Sequence, residues 1–251
     1  MQNIKTYINN SRVHFTSSLV RAGFLTALLV FFAALNLWTQ NQPAATGGSV
    51  FDYPLSASAL PSYNAICGQL AGRPYTKGSY EETRTQIKPK RSITARGDFI
   101  IAADMGMVWI TKYPAPSVTT MGKDFLVRTV PGKKSTRIEA KGNETYISMA
   151  DTISSVFTGN SGKLNEMFTV YFREIQSQNG TKWTLGLMPK DKVFAEIAER
   201  IILEGTSGAM GAVITSVVFR EKNGNSVTYA FSEHSFPKEL NAQETAYFSV
   251  K

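Results

Sequence analysis

After residue 70 apolar and polar side chains alternate with a period of two through most of the chain, the mark of strands with one buried face. The clearest case lies between Gly97 and Pro114. There two alternating runs carry Phe99, Ile101, Met107 and Trp109, and Pro114 ends the second run. The pattern predicts strands over 73–80, 83–88, 92–103, 107–112, 118–121, 124–129, 135–140 and 145–148. Gly122-Lys123, Pro131-Gly132 and Gly142-Asn143 punctuate them as turns.

The period then changes. Over 149–157, Met149, Ile153, Val156 and Phe157 fall on one helical stripe. Gly159 can end this helix, and Ser161 can cap a short second one reaching Met167. Strands resume over 168–175, 183–188, 200–204, 212–221 and 226–232, with a helical turn over 192–198 and a Gly-rich loop over 205–211. Asn223-Gly224 is a strong hairpin signal. Upstream, 56–60 is compatible with a helix, and Pro61 precedes a possible strand through Ile66. The sum is mainly β with a few helices: an antiparallel sheet of about ten or eleven strands, interrupted once by a helical insertion.

The first fifty residues follow a different pattern. Residues 22–37 are apolar apart from Gly23, Thr26 and Asn36, with Arg12 and Arg21 before them and Trp38 after. The basic flank places Met1 in the cytoplasm and everything beyond Trp38 across the membrane. Sixteen residues fit either a cleaved signal peptide or an uncleaved anchor, and both readings stand. The expected organisation is a basic and hydrophobic signal or anchor over 1–38, a flexible linker over 39–53 containing Pro43, Gly47 and Gly48, and a β domain over 54–251.

Charge changes the picture little. The chain of 251 residues has a net charge of +8. Lys5, Arg12 and Arg21 supply three of those charges, and no acid occurs before Asp52. The remaining excess is scattered, with Lys88-Pro89-Lys90-Arg91 the nearest thing to a basic run. No coherent stripe suits nucleic acid, whereas a mild attraction to anionic lipid headgroups fits. The single cysteine, Cys67, excludes an internal disulfide. It lacks a small residue directly before it, so it reads as a small buried hydrophobe and not a lipidation site.

Candidate chemistry is sparse. Beyond the N-terminal segment there is one histidine, His234, expected at the surface, and a triad with Ser232 or Asp191 has no signature. No catalytic residue, metal site or cofactor is expected. The loop Gly205-Thr206-Ser207-Gly208-Ala209-Met210-Gly211 lacks the Lys-Ser/Thr ending of a phosphate loop.

The order of parts from Tyr63 to Phe231 resembles the periplasmic outer-membrane lipoprotein carriers of the LolA type. The matching pieces begin with Gly68-Gln69, then Gly97-Asp98-Phe99, Met107-Val108-Trp109 with Pro114, and Thr120 before Gly122-Lys123. The helix ahead of Gly159, the segment 164–170, Trp183-Thr184-Leu185-Gly186-Leu187-Met188-Pro189-Lys190 and the Asn223-Gly224 hairpin follow in order. Each piece is weak alone. The resemblance implies a half-open antiparallel β-barrel with a helical lid over an apolar face. It also implies cargo of acylated lipoprotein or another lipid, taken from an inner-membrane extractor and delivered to an outer-membrane acceptor. One departure counts. The family's strand arginine, six residues before the tryptophan, holds the lid shut, and here that position is Ala103 beside Asp104.

The expected lining is Phe99, Ile101, Met107, Trp109, Met149, Ile153, Phe157, Phe168, Val170, Phe172, Trp183, Leu185, Leu187, Val227, Tyr229 and Phe231. Each taken alone is equally at home in an ordinary core. Met residues, among them Met105, Met107, Met149, Met167 and Met188, add adaptable packing. The expected function is a periplasmic carrier, monomeric by default, that shuttles acyl chains between membranes. The alternative is a membrane-tethered module that binds or senses lipid for another pathway.

Overall fold

The computed structural model describes residues 48–249 apart from 178–179 and 197. The basic segment, the apolar segment and the linker up to residue 47 lie outside the described residues. Eleven strands form one antiparallel sheet: β1 (Tyr75–Gln86), β2 (Arg91–Ala102), β3 (Gly106–Tyr113), β4 (Ser117–Met121), β5 (Phe125–Thr129), β6 (Thr136–Glu139), β7 (Phe168–Ser177), β8 (Gly180–Pro189), β9 (Arg200–Gly208), β10 (Gly211–Arg220) and β11 (Ser226–Ser235). The spatial order is β6-β5-β4-β3-β2-β1-β11-β10-β9-β8-β7, so the sheet is open and β6 and β7 are its edges. The expected half-open antiparallel barrel is observed.

Among the described residues five α-helices accompany the sheet: α1 (Leu60–Ala71), α2 (Glu144–Phe157), α3 (Ser161–Met167), α4 (Lys192–Ala195) and α5 (Ala242–Ala246). The insertion α2–α3 leaves β6 and enters β7, so it carries the chain from one sheet edge to the other. Beyond β7, the edge is partly covered. Leu55 N donates to Val170 O at 3.1 Å, and Phe172 N donates to Tyr53 O at 2.9 Å. Capping an edge in this way removes a template for pairing with another chain.

Register fixes the two faces of the sheet, because residues directly opposite one another share a face. The face away from α1–α4 is covered by the ends of the described chain, α5 among them. Over β7 and β8, a 3-10 turn (Val50–Asp52) sets Phe51 edge-on to Tyr171 at 5.3 Å. Over β1–β4, Thr120 Oγ1 donates to Tyr247 O at 3.0 Å and Lys77 pairs with Glu244. Helix α5 is held by a capping box, Asn241 accepting from Glu244 N while the Glu244 side chain accepts from Asn241 N.

Several local expectations are corrected. Pro61 does not precede a strand; it occupies the first turn of α1, where its missing N–H costs nothing. Tyr63, Ile66 and Cys67 then bury one helical face. The segment 145–148 is the first turn of α2, not a strand, because the Asn143 side chain caps it by accepting from Tyr146 N. The two strands expected over 73–88 are one, β1. Its two adjacent acids alternate across the pleat: Glu81 pairs with Arg96 on one face and Glu82 with Arg84 on the other. The expected glycine loop over 205–211 is largely strand, since β9 runs to Gly208.

Candidate functional site

Every strand residue expected to line the site lies on the helix-covered face. Phe99 pairs with Trp109 and Ile101 with Met107 across β2 and β3. Phe172 pairs with Leu185, Val170 with Leu187 and Phe168 with Pro189 across β7 and β8. Leu185 and Leu187 lie opposite Leu203 and Ile201 on β9, which lie opposite Val217 and Phe219 on β10. Those in turn face Tyr229 and Val227. Phe231 faces Tyr80 on β1. The middle of this surface is aromatic. Phe231 stacks on Tyr229 at 6.1 Å and meets Phe99 and Phe157 edge-on at 5.1 and 5.5 Å.

The helices complete the enclosure. On α1, Tyr63 meets Phe172 edge-on at 6.0 Å. On α2, Met149, Ile153 and Val156 are buried and Phe157 is half-buried. Phe194 of α4 packs on Phe168 at 5.8 Å. At the α2–α3 corner Gly159 has φ +60°, and a β-carbon there would come within 2.3 Å of Cys67 O. The corner therefore rests directly on the backbone of α1. Sequence reasoning missed Tyr63, Ile66 and Cys67 as lining, although their i, i+3, i+4 spacing signals a buried helical face.

Two of the spaces beneath the helices, among the described residues, are small. One space of about 10 Å³ is lined by Tyr63, Cys67, Val156, Phe172 and Trp183 among others, and one of about 20 Å³ by Arg73, Phe99, Phe157, Phe231 and His234 among others. Each has room for about one water and none for an acyl chain. On the outer side of the insertion a cleft of about 310 Å³ runs between α2 and α3, past Ile147, Asp151, Lys163 and Met167.

The aromatic face gives way to a polar end. Glu82 and Arg84 form a largely buried ion pair, Tyr80 and Thr111 share a hydrogen bond of 2.8 Å, and Arg128 donates to Ser117 at 3.3 Å. Burial pushes the Tyr80 phenol up to about 12. Tyr229 is also raised well above the ordinary phenol range, by burial first and the Glu82 charge second. By register Glu82 and Arg84 lie opposite Tyr229 and Val227, and Tyr80 lies opposite Phe231, while Ser117 lies opposite Thr111 and Arg128 opposite Thr119.

His234 is not at the surface as expected. It is half-buried between Phe99 and Phe236, and burial, then the Arg73 charge, lower its pKa while a backbone hydrogen bond at Ile214 opposes them. Ser232 and Asp191 are exposed.

Ala103 and Asp104 sit exposed in the β2–β3 turn, where Ala103 N donates to Pro74 O at 3.1 Å. The start of α2 is held differently. The Tyr146 hydroxyl, fully buried, lies 2.7 and 2.5 Å from the carbonyl oxygens of Gly122 and Phe125 and donates across the pair. Tyr146→Phe is expected to cost about 1–3 kcal/mol by leaving buried carbonyls short of a donor. It should also loosen α2; denaturant unfolding and amide exchange along α2 check both effects.

Burial raises the Cys67 thiol to about 11, with a smaller opposing contribution from Tyr63. At pH 8 the thiolate is therefore scarcer than in a free cysteine by a factor on the order of a hundred. Alkylation at pH 8 should be slower than in unfolded protein by at least that factor, and should rise as pH climbs toward 11. Rapid labelling of the folded protein at pH 8 would contradict a closed α1.

No family model and no curated protein matches the sequence. Solved structures similar to this chain include a putative outer membrane lipoprotein-sorting protein domain from Vibrio parahaemolyticus, with 11% identity, a TM-score of 0.41, and coverage of 80% of this chain and 100% of that one. A LolA superfamily protein from Nitrosomonas europaea has 9% identity and a TM-score of 0.39, with coverage of 72% and 95%. A DUF1329 family protein from Desulfovibrio piger has 9% identity and a TM-score of 0.45, with coverage of 76% and 96%. Identities of this size leave function to be read from the site itself.

Proposed function

We propose that this protein is a binding protein, not an enzyme, that shelters the acyl chains of lipoproteins or related lipids and carries them through the periplasm from the inner to the outer membrane. One observation carries the reading. A continuous apolar and aromatic surface crosses most of the sheet, and its roof is a set of short helices turning at Gly159, not a second sheet. Exposing a sixteen-carbon chain to water costs on the order of 12 kcal/mol, so a carrier needs apolar area of this extent. It also needs a removable cover to release the chain. The arrangement in which Tyr63, Phe157 and Phe194 pack on the sheet is then the unloaded state, with helix side chains in the place of the cargo. The polar end around Glu82, Arg84 and Arg128 supports an amphiphilic ligand, with chains under the helices and its polar part at that end.

Donor and acceptor would be membrane proteins, an extractor in the inner membrane and an acceptor in the outer. The test is to isolate the protein from the periplasm, weigh it, and identify extracted lipid. Soluble protein with an acylated peptide or acyl lipid bound in stoichiometric amount is the expected result. Lipid-free protein overturns the carrier, and full-length protein confined to the inner-membrane fraction favours a tethered lipid-binding module instead.

A further inference from the structure

Buried polar atoms nearly always find hydrogen-bond partners, so a cluster of exceptions asks for a cause. Among the described residues six buried side-chain polar atoms lack one: Tyr63 Oη, Trp109 Nε1, Thr152 Oγ1, Trp183 Nε1, Arg200 Nε and Ser207 Oγ. Trp109, Trp183 and Ser207 share the helix-covered face by register, and Tyr63 and Thr152 stand on the helices that cover it. Only Arg200 lies elsewhere, on the opposite face, with its guanidinium over Phe51. Tyr63 and Trp183 are about 1% and 2% exposed and line the same 10 Å³ space. Thr152, fully buried, is one turn before Val156, which also lines that space. Beside the Tyr63 hydroxyl stands the Cys67 thiol, at best a weak hydrogen-bond acceptor.

An indole N–H is a donor only, and a phenol and a hydroxyl can both donate. A saturated hydrocarbon chain satisfies none of them. Resting on the carrier reading above, we infer that the ligand brings carbonyl oxygens beneath α1, and that Trp183 Nε1 and the Tyr63 hydroxyl donate to the carbonyl of an acyl ester. The site thus selects acyl lipids over alkyl ones. In the unloaded form these donors are buried at a cost, which raises the free energy of that state and favours exchange of helix side chains for ligand. The roles of Trp183 and Tyr63 are positional: they choose where along the ligand the chain begins.

The test compares two probes with the same chain length and headgroup, 1-palmitoyl- and 1-hexadecyl-lysophosphatidylglycerol, by displacement of a fluorescent fatty acid from the full-length protein. The first has an ester carbonyl; the second has an ether in its place. The wild type should bind the ester roughly five- to tenfold more tightly, the span expected for hydrogen bonds formed or left unmade. In Tyr63→Phe and Trp183→Phe that preference should shrink toward unity, chiefly through weaker ester binding, with ether binding held. Tyr63→Phe should also leave the melting temperature unchanged or raise it, because it deletes a buried hydroxyl whose neighbour is only a weakly accepting thiol. An ester preference below about twofold, or one that survives in both variants, overturns the inference and leaves the carrier intact. If neither probe binds saturably, the carrier reading itself fails.

Discussion

Gly205→Ala should be among the most damaging single-atom additions to this protein, lowering its unfolding free energy by about 3 kcal/mol. The Trp183 ring lies against Gly205, its opposite number on β9. A β-carbon at residue 205 would come within 2.0 Å of Trp183 Cζ2 and 2.3 Å of the Val213 carbonyl oxygen. The ring borders a space of about 10 Å³ shared with Tyr63 and Leu203, too small to take it, and the carbonyl belongs to the neighbouring strand. Either the ring leaves its place or β9 and β10 separate. For a domain of this size the change corresponds to a fall in melting temperature of roughly 6–12 °C. Denaturant unfolding gives the number directly. A loss under about 1 kcal/mol would show that the ring does not rest on the glycine.

Phe231→Ala is the second large effect, with an expected loss of about 3–5 kcal/mol. Phe231 is the hub of the aromatic surface, in contact with Phe99, Tyr229 and Phe157 at once. Its removal leaves a void that the rigid sheet cannot collapse to fill. It also takes from Phe157, the last residue of α2, its edge-on partner on the sheet. The variant should therefore bind a hydrophobic dye that the wild type excludes, and its α2 amides should exchange sooner than those of β1 or β11. Equal loss of protection everywhere would mean that Phe231 holds the sheet together and has no special part in holding α2.

How much of this was legible beforehand depends on which interaction decides each element. The strands were readable because alternation is a local property: Phe99, Ile101, Met107 and Trp109 declare their face by period alone, and register confirms that they share it. The insertion was readable from Met149, Ile153, Val156 and Phe157 at helical spacing. Helix α1 was misread because Pro61 looks like a strand boundary, and only the face buried by Tyr63, Ile66 and Cys67 shows that it begins a helix. Gly205 looked like loop composition, since nothing local reveals that a tryptophan from β8 will lie against it. The same holds for Tyr146, whose partners Gly122 and Phe125 belong to the β4–β5 hairpin. The C-terminal cover was missed although Asn241 and Glu244 spell a capping box in plain sequence.

The measurement that bears most directly on the trough is a calorimetric titration of the lipid-free protein with a single-chain sixteen-carbon lysolipid, held below the concentration at which it self-associates and repeated at several temperatures. One molecule should bind per protein, saturably, with a negative heat-capacity change from the apolar area taken out of water. Absence of saturable heat at every temperature, or binding with no heat-capacity change, would mean that the helices are a permanent part of a solid core and that no fatty chain ever takes their place.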